Sequence, residues 1–138
     1  RSGPAVAAML QARGFTVTGT VVPDDVDAIG RAIAHAADEG VPLIVTTGGT
    51  GIAARDVTPE ATAAVCERVI PGFGELMRAV SLAKTPMASL SRAQAATRGR
   101  SLVLNLPGSV SGATENLEAV IHLIPHALDL LGGRTEHG

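Results

Sequence analysis

The sequence predicts an α/β fold, a three-layer α/β/α sandwich around a mostly parallel sheet. Short apolar runs of strand length alternate along the chain with apolar stripes at helical spacing, the pattern of a sheet covered on both faces. VPLIV at 41–45 is a continuous apolar run, typical of a buried strand, and SLVLNL at 101–106 is predicted as a second one; both lead into glycine turns. With no break in composition and no internal repeat, the 138 residues are expected to form one domain, 1–138.

The first part of the chain switches from a helix pattern to a strand pattern and back. Ser2 is predicted to cap a first helix, which Gly14 ends. From Phe15 to Val22, apolar residues alternate with threonines, which is typical of a half-exposed strand near a sheet edge. An aspartate of the following VVPDD is predicted to start a second helix, which ends near Gly40.

The second part repeats the alternation. Thr58 and Pro59 provide a cap and a first helical position for a third helix, and the apolar stripe over 73–80 predicts a fourth. The segment TPMASLSRAQAATRG, 85–99, fits either extended chain or a short helix. A long final helix is expected after the second buried strand, kinked or broken by Pro125.

Composition excludes several classes of partner. The formal charge of −2, from 11 basic and 13 acidic residues, gives no general attraction to nucleic acid or to an anionic membrane. Phe15 and Phe73 are the only aromatic residues, so stacking of bases on aromatic side chains is not expected. The apolar stretches are too short and too interrupted to cross a bilayer. The single cysteine, Cys66, cannot form an internal disulfide, which favours a reducing, cytoplasmic setting.

Glycines cluster directly after the first buried strand, in TTGGTGIAARDVTPEAT at 46–62. Glycine allows positive φ and close approach of the backbone, and successive N–H groups near a helix start attract an anion. The loop matches neither the nucleotide motif GxxxxGK[ST] nor GxGxxG. The glycines alone therefore predict a phosphate-binding loop and a plain tight turn about equally.

Two aspartates are candidate functional carboxylates. Asp56 follows the glycines next to Arg55, where it could hold a magnesium ion that bridges phosphates. Its alternative role is that of an acidic residue at the positive end of a helix dipole. Asp24 follows the Phe15–Val22 run and would lie at the same edge of the sheet if that strand were parallel to the next. Its alternative role is the cap of the second helix, and the convergence of the two carboxylates stays open.

Two further segments carry groups suited to anions. LSRA places Ser91 beside Arg92, although a solvated surface loop is an equally simple interpretation. The second glycine turn, NLPGSVSGATEN, offers backbone donors at Gly108, the hydroxyl of Ser109 and the carboxylate of Glu115. A plain connection between strand and helix explains this turn as well.

Three motifs together resemble a known family. TTGGTGIAARDVTPEAT, IPGFGELMRAVSLAKTPMASLSRA and LVLNLPGS occur in this order, with VVPDD before them and PHALDLLGG after them. They resemble the molybdenum cofactor biosynthesis proteins of the MogA/MoaB type, whose active members are molybdopterin adenylyltransferases, over essentially the whole chain. The resemblance implies that the terminal phosphate of molybdopterin is joined to the α-phosphate of magnesium-bound ATP, with release of pyrophosphate.

The resemblance also implies roles for individual residues. The two functional aspartates of the family fall on Asp24 and Asp56, which would be catalytic, with Asp56 also a ligand of Mg²⁺. The residues expected to contact molybdopterin or ATP are Gly48, Gly49, Thr50, Gly51, Ser91, Arg92, Gly108 and Ser109. Members usually begin with an apolar strand ahead of this sequence, so the resemblance implies a domain that lacks its first strand.

Two other functions remain open on the sequence. Some relatives of this fold bind pterin or act as scaffolds without transferring a nucleotide, and this is the second interpretation. A CinA-like nucleotide hydrolase is the third.

Relatives of this fold form trimers or hexamers, and a homo-oligomer is expected here.

Overall fold

The computed structural model describes residues 1–133. The α-helices in this part of the chain are α1 Ser2–Ala12, α2 Val26–Asp38, α3 Thr58–Val65, α4 Pro71–Leu82, α5 Val110–Val120 and α6 Ile124–Leu131. The strands are β1 Leu43–Thr47, β2 Arg68–Val69, β3 Gln94–Arg98 and β4 Ser101–Leu106, and short 3-10 helices span Pro86–Leu90 and Ile121–Leu123.

The predicted α/β class is confirmed, but the sheet is mixed. Its strand order is β1-β4-β3-β2. Strand β1 runs parallel to β4, whereas β3 is antiparallel to both β4 and β2. The reason is local: only Gly99 and Arg100 separate β3 from β4, and such a short connection can join antiparallel strands only. The prediction of a mostly parallel sheet is therefore corrected for the described residues.

Helices cover the sheet on both faces, as predicted. Leu102, Leu104 and Leu106 of β4 pack with α1, α4, α5 and α6 in the larger core. Val103 points to the opposite face, where it packs with Ile29 of α2 and Ala61 of α3. This alternation follows from the two-residue period of a strand. Strand β4 is buried along its whole length, so it forms the centre of the three layers.

The segment predicted as a strand over Phe15–Val22 forms no strand. Phe15 and Val17 still pack against the larger core, whereas Val21 is 97% exposed. The alternating pattern therefore corresponds to burial only at Phe15 and Val17, and this segment forms no ladder of hydrogen bonds. In the described residues, β4 is the one strand that pairs with β1.

Several predicted helix boundaries are confirmed and others shift. Gly14, with φ of +92°, follows the end of α1, but Ser2 lies inside this helix and is not its cap. Asp25 caps α2 by accepting a hydrogen bond from the Ala28 backbone N–H at 2.9 Å. The segment 85–99 contains both of its predicted alternatives, a short 3-10 helix followed by β3. The final helix breaks at Ile121–Leu123, and Pro125 lies in the first turn of α6.

Across residues 1–133, none of the helices has the length and hydrophobicity that a bilayer crossing requires.

Candidate active site

Two glycine turns meet where the parallel strands β1 and β4 end. Gly48 and Gly49 follow β1 with φ of +98° and +71°, a conformation that favours glycine. The Gly48 N–H donates to the carbonyl oxygen of Leu106, the last residue of β4, at 2.9 Å. A Cβ atom on Gly108 would lie only 3.2 Å from the Cα of Gly48, so the two backbones touch. The two turns predicted separately thus form one surface.

Thr58 attaches the start of α3 to this surface. Its hydroxyl donates to the carbonyl oxygen of Gly48, and its backbone N–H donates to that of Gly49, both at 3.1 Å. A Cβ atom on Gly49 would lie 2.3 Å from the Thr58 hydroxyl oxygen, so only glycine fits here. Thr58 was predicted as a helix cap, but it is the first residue of α3 and Val57 holds the cap position. The helix start is therefore fixed against the glycines by Thr58.

Asp56 is half-buried beside the same loop. Its Oδ2 atom accepts a hydrogen bond from the Ala53 backbone N–H at 2.9 Å. A Cβ atom on Gly51 would lie 2.8 Å from Oδ2, so the third glycine leaves the space that the carboxylate uses. The residue also precedes the N-terminus of α3, whose dipole stabilises negative charge. The loop thus holds one carboxylate in a defined orientation next to two glycine turns.

Arg92 fastens the loop from the other side. Its Nε donates to the carbonyl oxygen of Gly51 at 2.9 Å, and its Nη2 donates to that of Asp56 at 2.7 Å. Its Nη1 pairs with the Glu60 carboxylate, and its backbone N–H donates to the Thr50 carbonyl oxygen at 2.7 Å. The hydrogen bond from Arg92 lowers the pKa of Glu60 below its ordinary value. Arg92 was predicted to contact a ligand, and the structure places its guanidinium group against the backbone of the loop.

The contacts of Arg92 with Gly51, Asp56 and Glu60 form the Arg92 clamp. Sequence reasoning found neither this clamp nor Glu60. Glu60 and Arg92 are 32 positions apart, and Gly51 and Arg92 are 41 apart. A pairing across such distances follows no local spacing rule. The one available signal was an acidic residue in the first turn of α3.

Asp24 makes no hydrogen bond or ion pair with the Asp56 loop in the described residues. It is exposed and comes two positions after Val22, which packs in the same small core cluster as Val57, the neighbour of Asp56. Both aspartates therefore flank one cluster on the α2 and α3 side of the sheet. Within residues 1–133, Asp24 has no hydrogen-bond or ion-pair partner, and no group of three or more acidic, histidine or cysteine side chains could surround a metal.

The two predicted serines have local roles. The Ser91 Oγ accepts a hydrogen bond from the Ala93 backbone N–H at 3.2 Å. Ser109 caps α5, since its Oγ accepts a hydrogen bond from the Gly112 N–H at 3.0 Å. Gly108 and Ser109 are both exposed, so their surfaces are available to a ligand.

Comparison with known proteins identifies the family. Residues 1–126 match the family described as "Probable molybdopterin binding domain". The chain belongs to this family. The molybdopterin adenylyltransferase of Helicobacter pylori is 50% identical over 82% of this chain, and the chain spans 65% of that relative's length. The enzyme of the same name from Escherichia coli strain K12 is 41% identical over 86% of this chain and 68% of its own length.

Solved structures of the family agree with the fold. The molybdopterin biosynthesis Mog protein from Mycobacterium ulcerans is similar at a TM-score of 0.92 and 40% identity, covering 96% of this chain and 87% of that one. The MogA/MoaB resemblance of the three motifs is thereby confirmed. The likeness extends over both glycine turns, since it covers nearly all of the chain.

In this member of the family, a groove runs from the glycine turns between α4 and α5. This α4/α5 groove has a volume of about 900 Å³. Its polar lining includes Ser81, Lys84, Ser91, Ser109 and Glu115, and Met87 is one of its apolar residues. A smaller cavity of about 320 Å³ lies on the other side of Ser91, lined by Gly74, Arg78 and Arg92.

A hydrogen-bonded cluster forms the polar wall of the α4/α5 groove. The Ser81 hydroxyl donates to the Glu115 Oε1 at 2.8 Å, and the Asn116 Nδ2 donates to the Ser81 oxygen at 2.7 Å. The Lys84 ammonium group pairs with the other Glu115 oxygen. The hydrogen bond from Lys84, followed by that from Ser81, lowers the pKa of Glu115 below its ordinary value. Sequence reasoning identified Glu115 but missed its neighbour Asn116 on α5, as well as Ser81 on α4 and Lys84 just after α4.

Proposed function

We propose that the protein is a molybdopterin adenylyltransferase of molybdenum cofactor biosynthesis. The reaction joins the terminal phosphate of molybdopterin to the α-phosphate of ATP and releases pyrophosphate. The observation that carries the proposal is the contact of the two glycine turns beside the oriented carboxylate of Asp56. The names of the relatives from Helicobacter pylori and Escherichia coli give the same activity and support it.

The glycine turns would hold phosphate oxygens. Gly48, Gly49, Thr50 and Gly51 present backbone at the start of α3, where the helix dipole favours an anion. Gly108 and Ser109 bring a second exposed turn against Gly48. A reaction between two phosphate groups needs in-line placement and compensation of charge more than a protein nucleophile. Two turns in contact can position two phosphates next to each other.

Asp56 is suited to hold Mg²⁺ in this site. Magnesium is bound in such enzymes by one or two carboxylates together with phosphate oxygens. Asp56 fits because its carboxylate is half-buried and is fixed through Oδ2 in the space that Gly51 leaves by lacking a side chain. The ion would supply compensation of the phosphate charge. Asp24, on the same side of the sheet, is the proposed second catalytic carboxylate.

The proposal extends to the assembly and the location of the protein. By its resemblance to the family it would act in the cytoplasm as a trimer or hexamer. Large apolar side chains at the surface, such as Val21 and Val69, are of the kind that an interface between subunits covers.

The test uses the full-length protein with purified molybdopterin and magnesium-bound ATP. Release of pyrophosphate is measured together with formation of adenylylated molybdopterin. Asp56→Asn should lower the rate at least about 100-fold, since it removes the charge that holds the metal. The matched control is Asp27→Asn, an exposed aspartate in the first turn of α2, which should leave the rate unchanged.

Three outcomes would contradict the proposal. No pyrophosphate from the unaltered protein with verified substrate would exclude the transferase. Tight pterin binding in that experiment would instead indicate a binding or scaffold protein. Hydrolysis of a nucleotide in the absence of pterin would indicate a hydrolase.

A further inference from the structure

The motif IPGFGELMR at 70–78 carries part of the family resemblance, but the proposed phosphate site uses none of its residues. Gly74 and Arg78 lie one turn apart on α4, and helical side chains lean towards the N-terminus, so the Arg78 side chain extends over Gly74. A Cβ atom on Gly74 would lie 2.7 Å from the Arg78 Nη2 and 2.9 Å from the carbonyl oxygen of Ala93. Gly74 thus leaves the space in which the guanidinium group of Arg78 meets the chain at Ala93.

Arg78 binds the backbone on both sides of Arg92. Its Nη1 donates to the carbonyl oxygen of Ala93 at 2.9 Å and to that of Ser91 at 3.3 Å. Residues 91–93 form neither helix nor strand, so regular secondary structure does not fix this backbone. Ala93 is fully buried, where a carbonyl group without a donor is destabilising. Arg78 therefore holds a stretch of chain whose position depends on side-chain contacts.

The same stretch carries the Arg92 clamp. The Arg92 backbone N–H donates to the Thr50 carbonyl oxygen at 2.7 Å, and its guanidinium group binds the carbonyl oxygens of Gly51 and Asp56. Because Arg92 lies between the two carbonyl groups that Arg78 holds, a shift of its backbone would move the whole clamp. The two arginines thus form a chain of contacts from α4 through residues 91–93 to the loop 48–56.

The contacts of Arg78 reach the Asp56 loop only through this stretch. In the part of the chain that the structure describes, its hydrogen bonds go to Ser91 and Ala93, and none goes to the glycine turns or to Asp56. Arg78 also lines both the α4/α5 groove and the smaller cavity. Direct contact with a ligand is therefore the competing role, and the experiment has to separate the two.

We propose that Arg78 is a positioning residue, which holds the backbone on both sides of Arg92 and thereby the orientation of the Asp56 loop. Its effect on rate rests on the proposed function, since the reaction is adenylyl transfer. Its effect on the loop requires no substrate. The Gly74–Arg78 pair then explains why the motif at 70–78 contains a glycine and an arginine four positions apart.

The first measurement is amide hydrogen exchange of the full-length protein without substrate, resolved by residue with NMR. Arg78→Met removes the guanidinium group and keeps an unbranched side chain. Exchange should become about tenfold faster at the hydrogen-bonded amides of Gly48, Ala53, Asp56 and Arg92, because their local opening becomes easier. The amides of β4, which is buried along its whole length, should change much less. Equal acceleration in β4 and in the loop would show a general loss of stability and overturn the inference.

The second measurement is the kinetics of pyrophosphate release. Arg78→Met should lower kcat about tenfold and change KM for either substrate less than about twofold, because placement of a catalytic group is lost while substrate contacts remain. A rise in KM with unchanged exchange of the loop would show that Arg78 contacts a ligand directly, and would overturn the positioning role.

A double variant tests the route through Arg92. If Arg78 acts through the Arg92 clamp, Arg78→Met combined with Arg92→Lys should lose little more kcat than Arg92→Lys alone. Independent roles would instead multiply to a loss of about 100-fold, which would overturn the inference. The matched control is Arg31→Met, which removes the same charge from an exposed position of α2 and should leave kcat and loop exchange unchanged.

A milder variant covers the case in which Arg78→Met does not fold. Gly74→Ala keeps the guanidinium group but places a Cβ atom in its space, so the loop amides should exchange faster and kcat should fall by about threefold or more. Gly72→Ala is its control on the same helix, since an added Cβ there would meet no atom within 4 Å. A Gly74→Ala protein that matches this control in both measurements would overturn the inference.

The results distinguish this inference from the proposed function. Faster exchange confined to the loop and Arg92 in Arg78→Met, without pyrophosphate release from the unaltered protein, would support the positioning role and contradict the transferase. An active unaltered protein whose kcat and loop exchange stay the same in Arg78→Met would support the transferase and overturn the positioning role.

Discussion

Asp56 and Asp24 each lie between an extended run and a helix in the sequence, but the structure holds them in different ways. The Asp56 loop is fixed by Thr58, by Arg92 and by the Ala53 N–H, and it is surrounded by glycines that leave room for these contacts. Asp24 is exposed, in a segment without regular secondary structure that pairs with no strand of the described residues. Two carboxylates with similar sequence patterns therefore differ in how far the protein determines their position.

This difference matters because placement determines how much a group can contribute to catalysis. A carboxylate held by its surroundings pays no ordering entropy when substrate binds, whereas an exposed one must be ordered by the substrate or by another contact. Asp56 is therefore expected to carry the larger share of the proposed reaction.

The largest expected effect compares the two aspartates directly. Asp56→Asn should lower kcat/KM at least about 100-fold, and Asp24→Asn only about tenfold, because a preorganised charge stabilises the transition state more. The measurement is pyrophosphate release with molybdopterin and magnesium-bound ATP. Equal losses in the two variants would show that the substrate complex orders Asp24 as well as Asp56.

A smaller loss of rate is expected when a side chain is added at Gly51, beside the Asp56 carboxylate. Gly51→Ala would bring a Cβ atom to 2.8 Å from the Asp56 Oδ2, and the carboxylate at the end of its side chain would have to move. The rate should fall about tenfold or more, since small misplacements of a catalytic group are costly, while the free energy of unfolding changes by about 1 kcal/mol or less.

Gly19→Ala is the matched control for this variant. Gly19 lies in the segment without regular secondary structure before Asp24, and an added Cβ would meet no atom within 4 Å. Both rate and stability should stay close to those of the unaltered protein. A Gly51→Ala protein as active as this control would show that the space beside Oδ2 has no role in the reaction.

The Arg92 clamp gives the third prediction. Arg92→Lys keeps the charge but lacks the planar fork that binds Gly51, Asp56 and Glu60 together. Because the loop is then held less firmly, kcat should fall about tenfold and amide hydrogens of residues 48–56 should exchange faster. If Arg92 contacts the substrate instead, KM would rise while the exchange of the loop stayed unchanged.

The same contrast explains what the sequence could predict. Local rules identified the glycine loop, the start of α3 near Thr58 and the buried strand β4, because glycine patterns, Thr-Pro pairs and apolar runs act over a few residues. They left β3 undecided, since QAATR has almost no apolar alternation and becomes a strand only by pairing with β4. The Arg92 clamp and the Ser81–Glu115 contact join distant parts of the chain, and no local spacing encodes them.

The smallest expected effect is a pH dependence of stability from the ion pair of Glu60 with Arg92 at the Asp56 loop. In the described residues Asp24 has no such pair. Arg92 lowers the pKa of Glu60 below 4.5, its ordinary value. A carboxyl group with a lowered pKa in the folded state contributes stability above the unfolded pKa, and this contribution is lost as pH falls through the folded pKa. Because the Glu60 side chain is 53% exposed, solvent screens the pair and the contribution should be only a few tenths of a kcal/mol.

The measurement compares the free energy of unfolding of the unaltered protein and of Glu60→Gln from about pH 7 down to about pH 3 by denaturant titration. The unaltered protein should be slightly more stable than the variant at neutral pH. This gap between their free energies of unfolding should close below pH 4.5, where the Glu60 carboxyl becomes protonated. Carboxyl groups elsewhere, including Asp24, affect both proteins equally and cancel in the difference. A gap that is constant with pH, or that widens in acid, would mean that the ion pair of Glu60 with Arg92 does not stabilise the loop.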